Sequence, residues 1–147
     1  MTMMIARRSC ARALQGLLGL ALVSLFTPAS AGQFSWSQDV VSPAINYAQT
    51  EMRVAFAPPA LQAASSPVVI HSVHARVEAA GSAQVNSRLC WGDTGPCVPL
   101  ERGRVTTAAF NGLDPGRSMY LVHSVLGKGA LPAPVFVKGT VIVWYGP

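Results

Sequence analysis

Acidic side chains are scarce in this sequence. Its 147 residues include six Asp and Glu against eleven Lys and Arg. Asp39, Asp93 and Asp114 stand isolated, and the last two sit in turn contexts, where Asp is favoured for its local hydrogen bonds. No carboxylate cluster accompanies any histidine, and a metal site needs several converging ligands. His71 and His74 lie on an expected strand at a spacing that turns them to opposite sides. His123 is distant from both, and all three read as satisfied or surface histidines. No G-x-S-x-G elbow occurs. Gly127-Lys128-Gly129 lacks the rest of a phosphate loop and reads as a turn. Internal repeats and coiled-coil heptads are missing too. With no recognisable catalytic constellation, the sequence predicts no catalytic residue, no cofactor and no metal ligand.

The basic excess belongs in part to the first residues. Arg7, Arg8 and Arg12 form a positive n-region, Leu14 to Phe26 an apolar h-region, and Ala29-Ser30-Ala31 a small-x-small cleavage site. Residues 1–31 are therefore a predicted secretory signal peptide, and residues 32–147 a single predicted domain. The h-region is too short for a comfortable membrane span. Cys10 precedes it and is not placed to carry a lipid. Ser9-Cys10 follows Arg7-Arg8 where a twin-arginine signal would soon place a large apolar residue. Cleavage leaves 147 − 31 = 116 residues and a net charge of (11 − 3) − 6 = +2. That is enough chain for one core, and too little charge for a nucleic-acid reading. It also leaves an even pair of cysteines in an exported protein, as expected of an oxidising compartment.

That pair lies in Arg88-Leu89-Cys90-Trp91-Gly92-Asp93-Thr94-Gly95-Pro96-Cys97-Val98-Pro99-Leu100. The segment reads as a hairpin with a wide loop, closed at its neck by a Cys90–Cys97 disulfide. Residues opposite each other in a non-hydrogen-bonded antiparallel pair stand at the Cα separation that a disulfide needs. Alternation then turns Leu89, Val98 and Leu100 toward a core, and leaves Arg88 and Pro99 on the face of the disulfide. Pro99 cannot donate to a ladder, so one of these strands sits at a sheet edge or carries a bulge. The spacing is not that of a C-x-x-C oxidoreductase, and the bridge reads as a staple.

After Gly32, helix signals are poor and short alternating runs dominate. Expected strands are Phe34 to Val41, Ile45 to Ala48, and Glu51 to Phe56 with Met52, Val54 and Phe56 inward. Ala57 to Pro67 reads as a loop with room for a helical turn near Leu61. Val68 to Ala79 follows, with Val69, His71, Val73, Ala75 and Val77 on one face and Ser72, His74, Arg76 and Glu78 on the other. Gln84 to Trp91 and Cys97 to Leu100 make the hairpin. Val105 to Phe110 and Met119 to Leu126 are further strands. Ala130 to Pro134 reads as extended and irregular, because two prolines forbid helix and central strand alike. Val135 to Val137 and Thr140 to Tyr145 finish the chain. The last run is apolar on both faces, which places it centrally and buried on both sides.

About seven to nine short strands at this spacing indicate an all-β protein, an antiparallel β-sandwich of immunoglobulin-like outline. A small β-barrel is the alternative. Among the tryptophans, Trp36 and Trp144 read as packing residues. Trp91 opens the hairpin loop and has two readings: a contact with a partner, or packing onto its own sheet.

The ordered set Arg88-Leu89-Cys90, Cys97-Val98-x-Leu100, Thr106-Thr107-x-x-Phe110, Gly127-Lys128-Gly129-Ala130-Leu131-Pro132-Ala133-Pro134 and Val141-Ile142-Val143-x-Tyr145 resembles the FlhE family of exported flagellar proteins. Trp36 and Ile45-Asn46-Tyr47 also fit. The resemblance covers most of the mature chain, and is strongest from Arg88 onward. The chain departs from the family in its Gly- and Pro-rich cysteine loop and in its long Ala-Pro-Ser stretch. The resemblance implies a non-enzymatic periplasmic β-sandwich that is not membrane-spanning when mature. It further implies a partner in the flagellar export apparatus or basal body and a role in assembly, restraining proton leakage through the export apparatus as a plug or chaperone-like factor. The residues by themselves also admit a generic periplasmic binding module for a glycan or a pilus-like subunit, acting through a sheet edge.

Overall fold

The structure is a computed structural model that describes residues 34–61 and 67–147. The predicted signal peptide lies outside the described residues, as does the part of the Ala-Pro-Ser loop at 62–66. The strands, in chain order, are β1 (Phe34–Val41), β2 (Ile45–Tyr47), β3 (Met52–Phe56), β4 (Val69–Ala79), β5 (Val85–Trp91), β6 (Cys97–Pro99), β7 (Arg104–Thr107), β8 (Met119–Val125), β9 (Ala130–Val135) and β10 (Val137–Gly146). They form two four-stranded antiparallel sheets, β1-β10-β4-β7 and β3-β8-β5-β6, and a two-stranded ribbon, β2-β9. The expected sandwich is present, and no closed barrel forms.

Alternation builds the core. Trp36, Val73, Ala75, Val141, Val143 and Tyr145 from the first sheet meet Val54, Phe56, Leu89, Met119 and Leu121 from the second in one buried cluster. Gly139 stands at an inward position of β10. A Cβ there would lie 2.6 Å from Leu121 Cδ1 and 2.9 Å from Phe56 Cζ, so the facing sheet occupies the space a side chain would need. A smaller cluster of Ile45, Val125, Val135 and Val137 lies under the ribbon. His123 points inward on β8 between Leu121 of the first cluster and Val125 of the second.

Several expectations need correction. In β4 the alternation breaks at a bulge: Trp144 faces Ser72 and Tyr145 faces Ile70, so His71 is the extra residue. Ile70, not Val69 or His71, is therefore the buried residue at that end, 1% exposed. The run expected over Val105 to Phe110 ends as a strand at Thr107; Phe110 sits in a turn yet is fully buried. Ala130 to Pro134 is extended and irregular in register as expected, with only Ala130 and Val135 aligned on Tyr47 and Ile45, yet it forms a strand. It pairs with β2 as β9, in a ribbon where strand edges are open and a missing N–H is tolerated. β10 is central as expected, between β1 and β4, but it is buried on one face only. Ile142 and Trp144 turn outward and are half-buried, because only two layers form and nothing among the described residues covers that face.

Candidate functional site

The end of the sandwich that carries the cysteine loop gathers most of the chemically distinctive side chains. Cys90 and Cys97 are bonded, with their Cα atoms 4.0 Å apart. The ladder explains the closeness. Trp91 N donates to Pro96 O at 3.0 Å and Leu100 N to Ser87 O at 2.9 Å, which leaves Cys90 and Cys97 as a non-hydrogen-bonded pair. The register is Leu89 opposite Val98 and Arg88 opposite Pro99. Leu89 is buried, Val98 and Leu100 pack against the core, and Pro99 lies on β6, the edge strand of its sheet.

Trp91 ends β5 half-buried against the main core. Its indole Nε1 donates to Asp114 O at 3.0 Å. The loop folds back over it: a Cβ on Gly95 would fall 2.7 Å from Trp91 Cε3, so only glycine fits. Trp36, from the opposite sheet, donates through Nε1 to Pro115 O at 3.3 Å. Two indoles from the two sheets thus hold consecutive carbonyls of one turn. That turn is shaped locally by Gly116 N donating to Asp114 Oδ1 at 2.8 Å, the short-range bond expected of Asp in such a segment.

Two arginines finish this end. Arg53 lies over the Tyr120 ring, 3.8 Å from its centroid, and donates to Gly92 O at 2.9 Å and to Asp93 Oδ1 at 3.3 Å. Arg117 is exposed, stands 5.1 Å from the Trp91 ring centroid, and makes no ion pair among the described residues. Further along the same sheet, Arg88 grips Glu51 through both nitrogens at 2.6 and 2.8 Å, and those bonds hold the Glu51 carboxyl below its usual range. Val122 lies between Arg53 and Arg88 in register and is 5% exposed on the sheet's outer face. Flanking arginine stems in that register are positioned to cover it.

The other sequence-selected groups are scattered. His74 Nδ1 lies 2.9 Å from Thr106 Oγ1 on the outer face of the first sheet. His123 is 1% exposed and pairs through Nδ1 with Ser87 Oγ at 2.8 Å. Burial pushes its imidazole down to about 4. Among the described residues no group of three or more His, Cys, Asp and Glu converges as a metal site would require, and no helix is long and apolar enough to cross a membrane. Sequence reasoning found the disulfide, but it missed the arginines over Tyr120 and Trp91 and the turn held between two indoles. Those contacts join residues far apart in sequence and leave no local pattern.

No family model and no curated protein matches the chain. Among solved structures, the crystal structure of FlhE superposes on it with a TM-score of 0.62 and 27% sequence identity, covering 80% of this chain and 100% of that one. The fold is FlhE-like.

Proposed function

We propose, from the fold-level likeness to FlhE over that protein's whole length, that this chain is a flagellum-related accessory protein that binds and does not catalyse. It acts in the periplasm after cleavage of residues 1–31, docks on a protein of the flagellar export apparatus or basal body, and restrains proton leakage there. The sequence motifs from Arg88 onward support the same reading. Within it, the cysteine loop is the contact surface. The bridge and the Trp91–Asp114 bond pre-organise the loop, so little ordering is lost on docking. Arg117 adds an exposed positive group beside the half-buried indole, a pairing common at interface centres.

The test is a deletion strain complemented with the full gene, with Trp91→Ala, with Arg117→Ala, and with a version lacking residues 2–31. Cytoplasmic pH, motility and flagellar integrity are scored together. The deletion is expected to acidify the cytoplasm, and the leaderless version is expected not to rescue it. If the deletion changes none of the three readouts, the flagellar assignment fails. Full rescue by the leaderless version removes the periplasmic site of action. Full rescue by both point variants removes the loop as the contact.

A further inference from the structure

Among the described residues, every sheet edge but one is very short or carries a protective device, the β2 edge being only three residues long. The β6 edge has three residues, a disulfide and Pro99. The β7 edge has four residues and opens on Arg104. The β3 edge has five residues and carries Arg53, with Pro58-Pro59 soon after. The β9 edge carries Pro132 and Pro134. β1 is the exception: an edge strand of eight residues with no proline, no lysine, no arginine and no break in its register with β10. Strands of that kind are templates for another strand.

The ladder fixes which groups β1 offers. Ser42 N donates to Val137 O at 2.8 Å, so alternation turns the N–H and C=O of Trp36, Gln38 and Val40 toward β10. Those of Ser35, Ser37, Asp39 and Val41 turn outward, and they make no backbone bond among the described residues. Their side chains are all exposed, Val41 at 57%. A second observation lies on the same strand. Gln38 Oε1 is a buried side-chain acceptor without a hydrogen-bond partner among the described residues, and an orphaned buried acceptor is costly.

We infer that β1 pairs with β1 of a second copy of this chain, antiparallel, about a two-fold axis through Gln38. An isologous contact of this kind joins two four-stranded sheets into one continuous sheet. With the axis at Gln38, Ser37 faces Asp39 of the second copy, and both belong to the set whose N–H and C=O turn outward. Ser35 faces Val41, which covers part of that exposed side chain. Gln38 faces Gln38 as a non-hydrogen-bonded pair, the arrangement that brings side chains closest. A rotation that brings each Oε1 out of its buried position then lets each amide donate one hydrogen bond to the other's acceptor, and the orphaned oxygen gains a partner in both copies. The neighbouring registers do worse. An axis at Asp39 sets two carboxylates face to face, which is destabilising. An axis at Ser37 sets Gln38 against Trp36 and leaves the amides unpaired. In the favoured register Asp39 brings no repulsion, since Thr140 Oγ1 donates to it at 2.6 Å and Lys138 Nζ lies 3.5 Å away.

The experiment uses the full-length gene product, purified with its Cys90–Cys97 bridge formed, and measures mass by sedimentation across the micromolar range. The expected result is a reversible dimer. Ser37→Pro removes one outward donor from each copy while keeping extended backbone, so two bonds are lost across the axis and the dimer should weaken about tenfold or more. Circular dichroism and thermal melting confirm that this variant folds. Gln38→Cys places two thiols on the axis and should form an inter-chain disulfide with copper–phenanthroline, whereas Ser35→Cys should not. A monomer at every concentration overturns the proposal. So does a dimer indifferent to Ser37→Pro, or equal cross-linking through Ser35→Cys. A monomer whose role in the cell is nonetheless lost with Ser37→Pro also overturns it, and assigns the edge to a strand of a foreign protein.

Discussion

The two ends of this sandwich are built differently. At the end of the cysteine loop, one covalent bridge, two indole hydrogen bonds from opposite sheets and the Arg53 contacts hold the connections down. At the other end, the β2-β9 ribbon rests on four buried residues, Ile45, Val125, Val135 and Val137. The exposed large apolar residues Val41, Tyr47, Leu126 and Phe136 all lie around that ribbon. The first end is rigid by polar and covalent geometry. The second is held by a small apolar cluster and short ladders, so it is the region that opens first in local unfolding. Hydrogen exchange should therefore protect Cys90 and Trp91 amides far longer than those of Tyr47 and Ala130.

The comparison requires a shared middle, and that can be broken at Gly139. Gly139→Val should cost about 3 kcal/mol, because Leu121 and Phe56 already fill the space, and it should lower protection at both ends alike. Loss at one end only would show that the sheets do not act as one unit. A paired Cys90→Ser, Cys97→Ser variant comes next. Its loss of about 2.5 kcal/mol, read by chemical denaturation, should erase most of the difference in protection between the ends. An unchanged difference would mean that the indoles, not the bridge, hold the turn.

Acid provides the third lever. Burial lowers the His123 pKa to about 4 from 6.5, so the unfolded chain binds the proton more readily than the folded one. The stability is fully present above about 6.5 and is lost as the pH falls toward about 4, with a cost of about 2 kcal/mol at pH 5. His123→Leu should flatten that part of the stability profile. The smallest effect belongs to Trp91→Phe, which keeps the ring's packing but removes the bond to Asp114. About 1 kcal/mol and faster exchange confined to residues 111–116 are expected.

Much of this was legible in the chain. The cysteine spacing and the alternation around it specified the pairing of Cys90 with Cys97 and the inward turn of Leu89, and Pro99 narrowed its strand to an edge or a bulge, of which the structure has the edge. The apolar content of Val141 to Tyr145 specified a central strand. What the pattern could not show was set by partners. A bulge at His71 moves Ile70 inward, and counting by twos cannot anticipate an inserted residue. Proline excludes a donor but does not exclude pairing at an edge, so the irregular run at Ala130 to Pro134 still forms β9, which its prolines did not announce. Ile142 and Trp144 are apolar without being buried, because strand centrality within a sheet does not imply a third layer above it. At the candidate site, Trp91 was legible as an aromatic at a loop, while its tie to Asp114 and the nearness of Arg117 depend on a turn more than twenty residues later.

The pairing of β1 with β10 has a consequence for the order of events in folding. Phe34 lies opposite Tyr145, so the first described strand docks on the last. Closing that loop is entropically costly and nonlocal, which slows folding. A chain delivered N-terminus first would hold β1 without its partner until nearly all of it had arrived. The strand completed last would then also be the one that completes the first, and the sandwich would assemble only after delivery, not during it.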